Sequence, residues 1–534
     1  MIKNEKTSIN VSSEQTFEKS SFDTDDMVAV MDNPQRRKTK IADILLKLGE
    51  HGSFQKRMLF YFIMMQFATS GIFNALPFIM HDPLFKCKVN GEFVKCNGEQ
   101  ACAEGMERKV EHDILSLVVH ERAYCDGRWK KIQGQNILFI LSSIIAFVVV
   151  LVMDKRGRRP LFFVVAGMCI FGSVILIFDP NYWIAILAMS ILYSVGYIEF
   201  TNLYVYSTEV FNGKWRSFAN SLVFAINYTG KWVYVMCNMA LDNYYQNYVF
   251  IGICTLLFIP WVIGLQESPF IYYRQGDIEG LRQNLYMINK YNNKKDKLKL
   301  HDNIKEIDAF IVEVEKEKAV DNKKSQIEAD LKKSNYFFDD QYTFKTYLKH
   351  IIVIILSEWP YHIGDSLVTA VPDKLGLDNI YISSTAFLSA TVGTNILMVF
   401  YLHKIPRRKG NMVIVFIAFI FCLCLLIFTI TGIQHNRFIS WVELLITMGF
   451  IGLGMAQFLL VNRYTNEVFP TKLRAFSVSL VLLFGRSIMF VGNLIDPLSE
   501  RVDIHPYVFV GVIYILALPL FMKYKETLHT STKN

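Results

Sequence analysis

Long apolar runs separated by short polar stretches are the main pattern along this chain. Runs of about 18 to 25 residues recur twelve times, and a helix rising roughly 1.5 Å per residue needs this length to cross the roughly 30 Å hydrocarbon core of a bilayer. The runs lack strict alternation of apolar and polar positions, which favours helices over barrel strands. The sequence therefore predicts an all-α membrane protein with twelve transmembrane helices, spans 1 to 12. They fall near residues 58–80, 136–153, 160–178, 182–206, 217–240, 247–266, 347–371, 378–402, 411–432, 438–462, 475–495 and 505–523.

The charged residues are segregated along the sequence. The 534 residues are 52% hydrophobic and 19% charged, with a formal net charge of +8. Residues 1–57, 81–135 and 267–345 hold 67 of the 104 charges, which comprise 56 Lys and Arg and 48 Asp and Glu. A soluble protein spreads its charges over surface positions throughout the chain. The pattern thus excludes a large soluble globule, and the composition excludes a disordered, collagen-like or disulfide-scaffold protein.

The short loops predict the orientation in the membrane, because Lys and Arg are retained on the cytoplasmic side. The loops after spans 2, 4, 8 and 10 carry thirteen Lys and Arg, whereas the short loops on the other side carry only Lys374, Arg437 and Arg501. Both termini and residues 267–345 are therefore expected in the cytoplasm, and residues 81–135 outside. We expect a multi-pass integral protein of the plasma membrane.

Four of the nine cysteines lie in the predicted external loop. An even number of cysteines in an oxidising compartment predicts disulfides, here two bridges with three possible pairings. A metal site is the weaker alternative, because the loop has no CxxC pair. The four residues are Cys87, Cys96, Cys102 and Cys125.

The two halves of the chain share an internal repeat. Span 4 ends in Y-S-T-E-V-F-N-G-K-W-R (206–216), and span 10 ends in Y-T-N-E-V-F-P-T-K-L-R (464–474), which lies 258 residues later. D-K-R-G-R-R (154–159) is echoed by H-K-I-P-R-R (403–408) after 249 residues. Two six-helix halves of this kind are the plan of a transporter that rocks around a central site. The predicted divisions are a cytoplasmic segment 1–57, a bundle 58–266 with the external loop 81–135, a linker 267–345, a bundle 346–523 and a tail 524–534.

These motifs resemble those of a known superfamily. D-K-R-G-R-R-P is similar to the major facilitator signature between spans 2 and 3, and E-V-F-P-T-K-L-R to the loop after span 10. D-I-L-L-K-L-G-E-H-G-S-F-Q (43–55), the Cys-bearing loop ending Y-C-D-G-R-W (124–129), and E-S-P (267–269) resemble the organic cation/anion/zwitterion transporter family. The resemblance implies the major facilitator fold and transport of small organic ions by alternating access.

Charged residues at the cytoplasmic ends of the spans are candidates for a gate. Ion pairs between helices that exist only while this side is closed would bias a two-state equilibrium by a few kcal/mol. Topological anchoring alone is the simpler alternative. The candidate gate residues are Asp154, Arg158, Arg159, Glu209, Arg216, Arg407, Arg408, Glu467 and Arg474.

Ionisable groups at mid-membrane depth are costly and mark a pathway or an internal pair. Arg486 lies twelve residues beyond Arg474, roughly 18 Å into span 11. In span 7, spacings of four and three residues place Glu358, His362 and Asp365 on one helical face. With nearby aromatic residues, the predicted substrate-binding set is Arg486, Lys231, Glu358, His362, Asp365, Glu199, Tyr228, Trp232 and Trp359.

The sequence favours an anion or a zwitterion as the substrate, with an organic cation as the alternative. Within the resemblance, Arg486 stands where anion transporters of the family carry an arginine, and its guanidinium suits a carboxylate or sulfate. Carboxylates and aromatic faces suit a cation, and the two together suit a zwitterion. Pairing of Arg486 with Glu358 or Asp365 for packing alone is the other interpretation. The His362 face also suggests a coupled proton or counter-ion.

Motifs for other functions are lacking in the sequence. It contains no phosphate-binding glycine loop, HExxH or catalytic triad, so neither an enzyme, a cofactor nor a nucleic-acid partner is expected. The expected partners are a small organic ion, a possible coupled ion and the lipid bilayer. A transporter-like receptor that binds a ligand without moving it is the alternative from a different class.

Overall fold

The computed structural model describes residues 34–49, 52–80, 85–89, 91–96, 98–102, 107–110, 116–123, 125, 129–153, 156–211, 213–241, 243–294, 296–329, 344–367, 380–402, 404–431, 437–469, 471–502 and 504–527. Helices occupy all twelve predicted spans. They are Ser53–Ile79 (span 1), Trp129–Met153 (span 2), Arg158–Ile177 (span 3), Tyr182–Val210 (span 4), Gly213–Asn238 (span 5), Tyr244–Ile263 (span 6), Phe344–Ser366 (span 7), Ile380–Tyr401 (span 8), Arg407–Thr431 (span 9), Arg437–Val468 (span 10), Thr471–Ser487 with Met489–Val502 (span 11) and Pro506–Met522 (span 12).

Eight helical stretches in the described part of the chain are long and apolar enough to cross a membrane. They belong to spans 2, 3, 4, 6, 8, 9, 10 and 11, and span 12 is apolar but shorter. Spans 5 and 7 fall outside this group because they carry polar side chains such as Asn227 and Glu358, which the fold buries. A span that packs inside a bundle tolerates polar groups, since these groups face protein rather than lipid.

The cysteine-bearing loop contains a three-stranded antiparallel sheet in the order β2-β1-β3. Its strands are β1 (Phe85–Val89), β2 (Glu92–Cys96) and β3 (Arg108–Val110), and short helices cover Gly98–Ala101 and Leu117–His120. Disulfides join Cys87 to Cys96 and Cys102 to Cys125. The prediction of two disulfides is confirmed with one of the three pairings, and the metal alternative is wrong because all four sulfurs are bridged.

Four further helices lie at the opposite end of the bundle, next to the basic loops. They cover Pro34–Gly49, Pro269–Gln275, Ile278–Asn292 and Lys297–Ala329. The Asn292 side chain joins them to span 1: its amide nitrogen donates to the carbonyl of Leu48 (3.1 Å) and to Gln55 Oε1 (3.0 Å), and its oxygen accepts from the backbone N–H of Phe54 (2.9 Å). The segment before span 1 and the linker thus form one layer.

Buried apolar side chains form a separate core in each group of six spans. One gathers mainly residues between Ile41 and Val314, and the other residues between Tyr347 and Tyr524. We call spans 1–6 the N-half and spans 7–12 the C-half. The halves pack together through spans 5 and 8 and through spans 2 and 11. We call the membrane end near Arg158 and Arg407 the basic face, and the end near Cys87 the disulfide face.

Candidate functional site

Arg486 lies at the contact between the halves, one residue before the end of the first helix of span 11. Its guanidinium carbon is 4.1 Å from the centre of the Tyr197 ring and 5.9 Å from that of Phe200, both on span 4. Among the described residues it makes no ion pair within 4.0 Å, and its Nε has no hydrogen-bond partner. The cation is therefore held by aromatic faces rather than by a carboxylate.

Glu358 and His362 form a buried pair on span 7. The Glu358 Oε2 and His362 Nε2 atoms are 3.5 Å apart, and neither side chain exceeds 1% exposure. The pair packs on the backbone of Gly485, where an added Cβ would lie 2.9 Å from Glu358 Oε2 and 3.3 Å from His362 Nε2. Gly485 precedes Arg486, and both members of the pair interact electrostatically with this arginine. The close approach needs glycine, because any larger residue would push the pair away.

An aromatic layer joins the halves beside Arg486. The hydroxyls of Tyr228 (span 5) and Tyr361 (span 7) share a hydrogen bond of 2.7 Å. The Tyr361 ring stacks on Phe458 of span 10, with centroids 4.5 Å apart. Phe458 in turn lies 6.0 Å from Phe200 of span 4, and Phe224 lies 4.4 Å from Phe200. The layer closes the space between the halves with apolar surface and one buried hydrogen bond.

The other predicted substrate residues border this cluster at several places. The Lys231 ammonium lies 4.3 Å from the centre of the Tyr228 ring, and Asp365 is exposed and interacts electrostatically with Lys231. Trp232 Nε1 donates to Ser389 Oγ (3.1 Å), which links spans 5 and 8. Trp359 packs against the core of the C-half. Two cations, exposed and buried carboxyls and several aromatic faces therefore lie around one interface.

Glu199 lies apart from this cluster. It is fully buried in the N-half, where the groups acting on it are the Thr69 hydroxyl of span 1 and the Cys169 thiol of span 3. Among the described residues, the structure thus brings six of the predicted substrate residues together and leaves Glu199, Trp232 and Trp359 without an observed contact to them. The six are Arg486, Lys231, Glu358, His362, Asp365 and Tyr228.

At the basic face of the N-half, Arg158 and Glu209 form an ion pair with 3.0 Å between Nη2 and Oε1. Glu267 follows span 6 and accepts the backbone N–H groups of Arg158 and Arg159, each at 3.0 Å. It therefore caps the first turn of span 3, where unpaired N–H groups favour an anion. Burial raises the pKa of Glu267, and its backbone hydrogen bonds oppose this shift.

The backbone conformation at residue 157 explains why the motif D-K-R-G-R-R contains a glycine. Its φ of +124° lies in the region that other residues rarely adopt, and a Cβ would lie 2.6 Å from Glu267 Oε2. A glycine at this position lets the chain turn into span 3 while the carboxylate reaches the amides.

The C-half repeats this arrangement. Glu467 accepts two hydrogen bonds from Arg407 (2.9 and 3.1 Å) and one from Arg463 Nε (2.9 Å). Glu526, after span 12, accepts the backbone N–H groups of Arg407 (2.9 Å) and Arg408 (3.3 Å). Glu526 thus corresponds to Glu267, a match that the spacing of the basic motifs did not reveal.

The observed ion pairs of the predicted gate join spans of the same half. Arg158 and Glu209 link spans 3 and 4, and Arg407 and Glu467 link spans 9 and 10. The guanidinium of Arg159 lies 5.6 Å from the Phe163 ring, and Arg216 donates to the carbonyl of Phe211 at 3.2 Å. Asp154 and the Arg474 side chain lie outside the described residues. A gate that opens and closes between the halves stays a prediction.

Sequence reasoning missed Tyr197 and Phe458, two of the aromatic partners in the central cluster. The 258-residue spacing contained part of the signal, because it relates Phe200 to Phe458, and these rings meet across the interface. A narrow cleft lined by residues of spans 2, 4 and 11 borders Tyr197.

The chain is similar to known transporters in sequence and in structure. Solute carrier family 22 member 16 from Xenopus laevis is 24% identical over 437 residues, which are 80% of this chain and 71% of that protein. The proton:xylose symporter XylE bound to 6-bromo-6-deoxy-D-glucose matches with a TM-score of 0.58 at 13% identity, covering 90% of this chain and 99% of that chain. The human organic anion transporter MFSD10 (TETRAN) matches with a TM-score of 0.52 at 9% identity, covering 88% and 99%. At these identities the structural matches establish the fold alone.

A family-level match settles the class of protein. The sequence profile of the Major Facilitator Superfamily matches residues 135–493, which is more than half of the chain. Together with the structural matches, it confirms the predicted fold of twelve transmembrane helices and a multi-pass membrane protein. The chain belongs to the Major Facilitator Superfamily, whose fold is that of transporters rather than enzymes.

Proposed function

We propose that this protein is a secondary carrier of small organic ions that works by alternating access, with an organic anion or a zwitterion as its substrate. Membership of the Major Facilitator Superfamily supports a role in transport, and the similarity to a solute carrier family 22 member supports an organic ion as the substrate. The observation that supports this proposal most directly is the environment of Arg486. This cation lies between the halves, stacks on Tyr197 and forms no ion pair within 4.0 Å in the described part of the chain.

The chemistry of Arg486 suits a carboxylate or sulfate group. A guanidinium offers five donors and stays charged, and in a partly dehydrated site its hydrogen bonds to an anion are stronger than neutral ones. The neighbouring carboxyl groups of Glu358 and Asp365 supply the opposite charge that the amino group of a zwitterion requires. Ion binding between the halves couples occupancy to closure, because the groups on both sides must approach the same ligand.

The first test is Arg486→Ala in proteoliposomes, with radiolabelled benzoate, betaine and tetraethylammonium as anionic, zwitterionic and cationic probes. Losing a charge-assisted hydrogen bond of about 1.5–3 kcal/mol should lower uptake of the accepted anion or zwitterion at least about tenfold. Arg486→Lys is the matched control, which keeps the charge but loses the planar stack. Unchanged benzoate and betaine uptake by Arg486→Ala would exclude the role given to Arg486.

An organic cation is the second candidate substrate. Asp365 is exposed, and aromatic rings of Tyr228 and Tyr361 lie nearby, which is an arrangement that suits an amine. Saturable tetraethylammonium uptake that Asp365→Asn abolishes and Arg486→Ala leaves intact would select this candidate. A receptor that binds without transport would accumulate none of the three probes.

We also propose that the basic face is cytoplasmic and that the membrane is the plasma membrane, as the loop charges and the disulfides suggest. The predicted gate residues would then lie at the cytoplasmic ends of the spans. A coupled proton or counter-ion is part of the same proposal, supported by the buried Glu358–His362 pair.

A further inference from the structure

Glu199 is a carboxyl group that the central cluster does not use. Its side chain is 0% exposed, and neither of its oxygens has a hydrogen-bond partner among the described residues. The Thr69 hydroxyl lies beside it but donates to the carbonyl of Met65 at 3.1 Å. A carboxylate buried without a partner is costly, because it loses its hydration.

The internal repeat gives Glu199 a counterpart in the C-half. Glu199 and Gln457 are 258 residues apart, the spacing that also relates Phe200 to Phe458 and Glu209 to Glu467. Gln457 is likewise 0% exposed, and its Nε2 donates to the backbone carbonyl of Ser357 on span 7 at 2.5 Å. The position on span 10 thus supplies a neutral hydrogen-bond donor.

Spans 1 and 7 also differ in carrying an amide in one half and an acid in the other. In the N-half, Gln66 of span 1 accepts a hydrogen bond from Asn227 of span 5 at 2.7 Å. The residue 258 positions after Asn227 is Gly485, on which Glu358 of span 7 packs. In the N-half, span 4 therefore carries the buried carboxyl and span 1 a buried amide, whereas in the C-half span 7 carries the carboxyl and span 10 the amide.

A neutral Glu199 side chain has the same hydrogen-bonding capacity as the amide of Gln457, whereas an ionised Glu199 does not. The O–H of a protonated carboxyl donates as the amide N–H₂ of Gln457 does, whereas an ionised carboxyl only accepts. Span 4 packs against spans 1, 2, 3, 5 and 11. Thr69 of span 1 and Cys169 of span 3 are the described groups that act on Glu199. The cations of spans 5 and 11, Lys231 and Arg486, stack on Tyr228 and Tyr197 instead.

We propose that Glu199 is a proton-binding site of the N-half, distinct from the Glu358–His362 pair. It holds a proton while spans 1, 3 and 4 are packed as they are here. When the halves part and water reaches the carboxyl, the O–H bond breaks, the proton passes to water and the electron pair stays on the carboxylate. The link of this proton to a transported ion rests on the proposed function, whereas the protonation of Glu199 does not.

Infrared spectroscopy of the purified full-length protein in lipid tests the protonation itself. A buried neutral carboxyl gives a carbonyl band that carboxylates lack, and at about pH 7 the Glu199→Gln spectrum should lack one component of the wild-type band. The isosteric amide preserves packing, since Gln457 occupies the equivalent position. Glu443→Gln is the control, because Glu443 is a 3% exposed acid in the first two turns of span 10. A wild-type band that Glu199→Gln leaves unchanged overturns the proposal.

Uptake of whichever of the three labelled probes the wild type accumulates tests the link to transport. We expect uptake at about pH 5.5 to exceed uptake at about pH 7.5 in the wild type and in Glu443→Gln, with a ratio above about two, and this ratio to fall to about one in Glu199→Gln. The proposed coupling of this proton to transport is wrong if the ratio of uptake at the two pH values stays above about two in Glu199→Gln, or if it is about one in the wild type. Loss of all uptake in Arg486→Ala concerns the substrate site alone, so the two proposals fail separately.

Discussion

Gly485 sets how closely span 7 approaches span 11, because the Glu358 and His362 side chains fill the space a Cβ would take. The nearest contact of that Cβ would be the carboxylate oxygen at 2.9 Å. Both neighbouring side chains are buried, so neither can swing into solvent to make room. The residue before Arg486 therefore controls the position of the charged pair relative to the cation.

We predict that Gly485→Ala destabilises the protein by about 1–3 kcal/mol, the usual cost of overpacking a core, and lowers uptake of the accepted probe. Thermal unfolding of the detergent-purified protein and proteoliposome uptake measure the two effects. Gly167→Ala in span 3 is the matched control, because a Cβ there meets nothing within 4 Å. Alanine favours a helix over glycine by about 1 kcal/mol, so this control should unfold at the same or a higher temperature. Equal behaviour of the two variants would contradict the packing argument.

Sequence reasoning identified the charged residues of the central cluster but not their partners. Arg486, Glu358 and His362 stand out because ionisable groups are rare in apolar runs. Tyr197 and Phe458 do not, since aromatic residues are common in every span. Their role depends on which faces of spans 4 and 10 meet across the halves, and hydropathy carries no information on that.

At the scale of elements, both halves end by capping an earlier helix. Glu267 follows span 6 and caps span 3, and Glu526 follows span 12 and caps span 9. The residues after Met522 are thus part of the fold: Tyr524 stacks on Tyr464 with ring centroids 4.0 Å apart, and Thr527 donates to Glu467 Oε2 at 2.5 Å. A cap closes the six-helix unit by tying its last helix to its third.

We predict that Glu526→Ala lowers stability by about 1–2 kcal/mol, the typical cost of losing a helix cap, because two backbone N–H groups of span 9 lose their acceptor. Glu526→Gln keeps an acceptor oxygen and should cost less. Glu92→Ala removes the same charge from an exposed position of β2 and serves as the control. The unfolding temperatures of the purified proteins should rank Glu92→Ala above Glu526→Gln above Glu526→Ala. If Glu526→Ala unfolds at the same temperature as Glu92→Ala, the cap does not contribute to stability.

The elements themselves follow from the sequence more closely than their ends and breaks. All twelve spans were predicted from run length, since a bilayer demands about 20 apolar residues. The break in span 11 at Ile488 was not predicted, because the apolar run continues through it. The hydrogen bonds of Asn292 were also beyond prediction, because they join residues more than 230 positions apart.

For the whole molecule, hydrogen bonds between described residues cross from one half to the other at several places. Tyr228 bonds Tyr361 near the centre, Trp232 bonds Ser389 between spans 5 and 8, and Asn493 Nδ2 of span 11 donates to Asn136 Oδ1 of span 2 at 2.9 Å. Asn136 lies seven residues from the start of span 2, towards the disulfide face. Alternating access requires that the contacts on one face break while those on the other hold. The repeat predicted two halves, but only the packing shows where they touch.

The contact between Asn136 and Asn493 allows the motion to be arrested. We predict that oxidising an Asn136→Cys/Asn493→Cys pair, in a background with the five unpaired cysteines replaced by alanine, lowers uptake at least about tenfold, because the disulfide face then cannot open. A Ser173→Cys/Thr255→Cys pair is the matched control, since these hydroxyls are 2.9 Å apart on spans 3 and 6 of the same half. That bridge should form equally well and leave uptake intact, because rocking of the halves does not separate spans 3 and 6. Full uptake with a quantitatively formed bridge between positions 136 and 493 would mean that the halves do not part at this contact during transport.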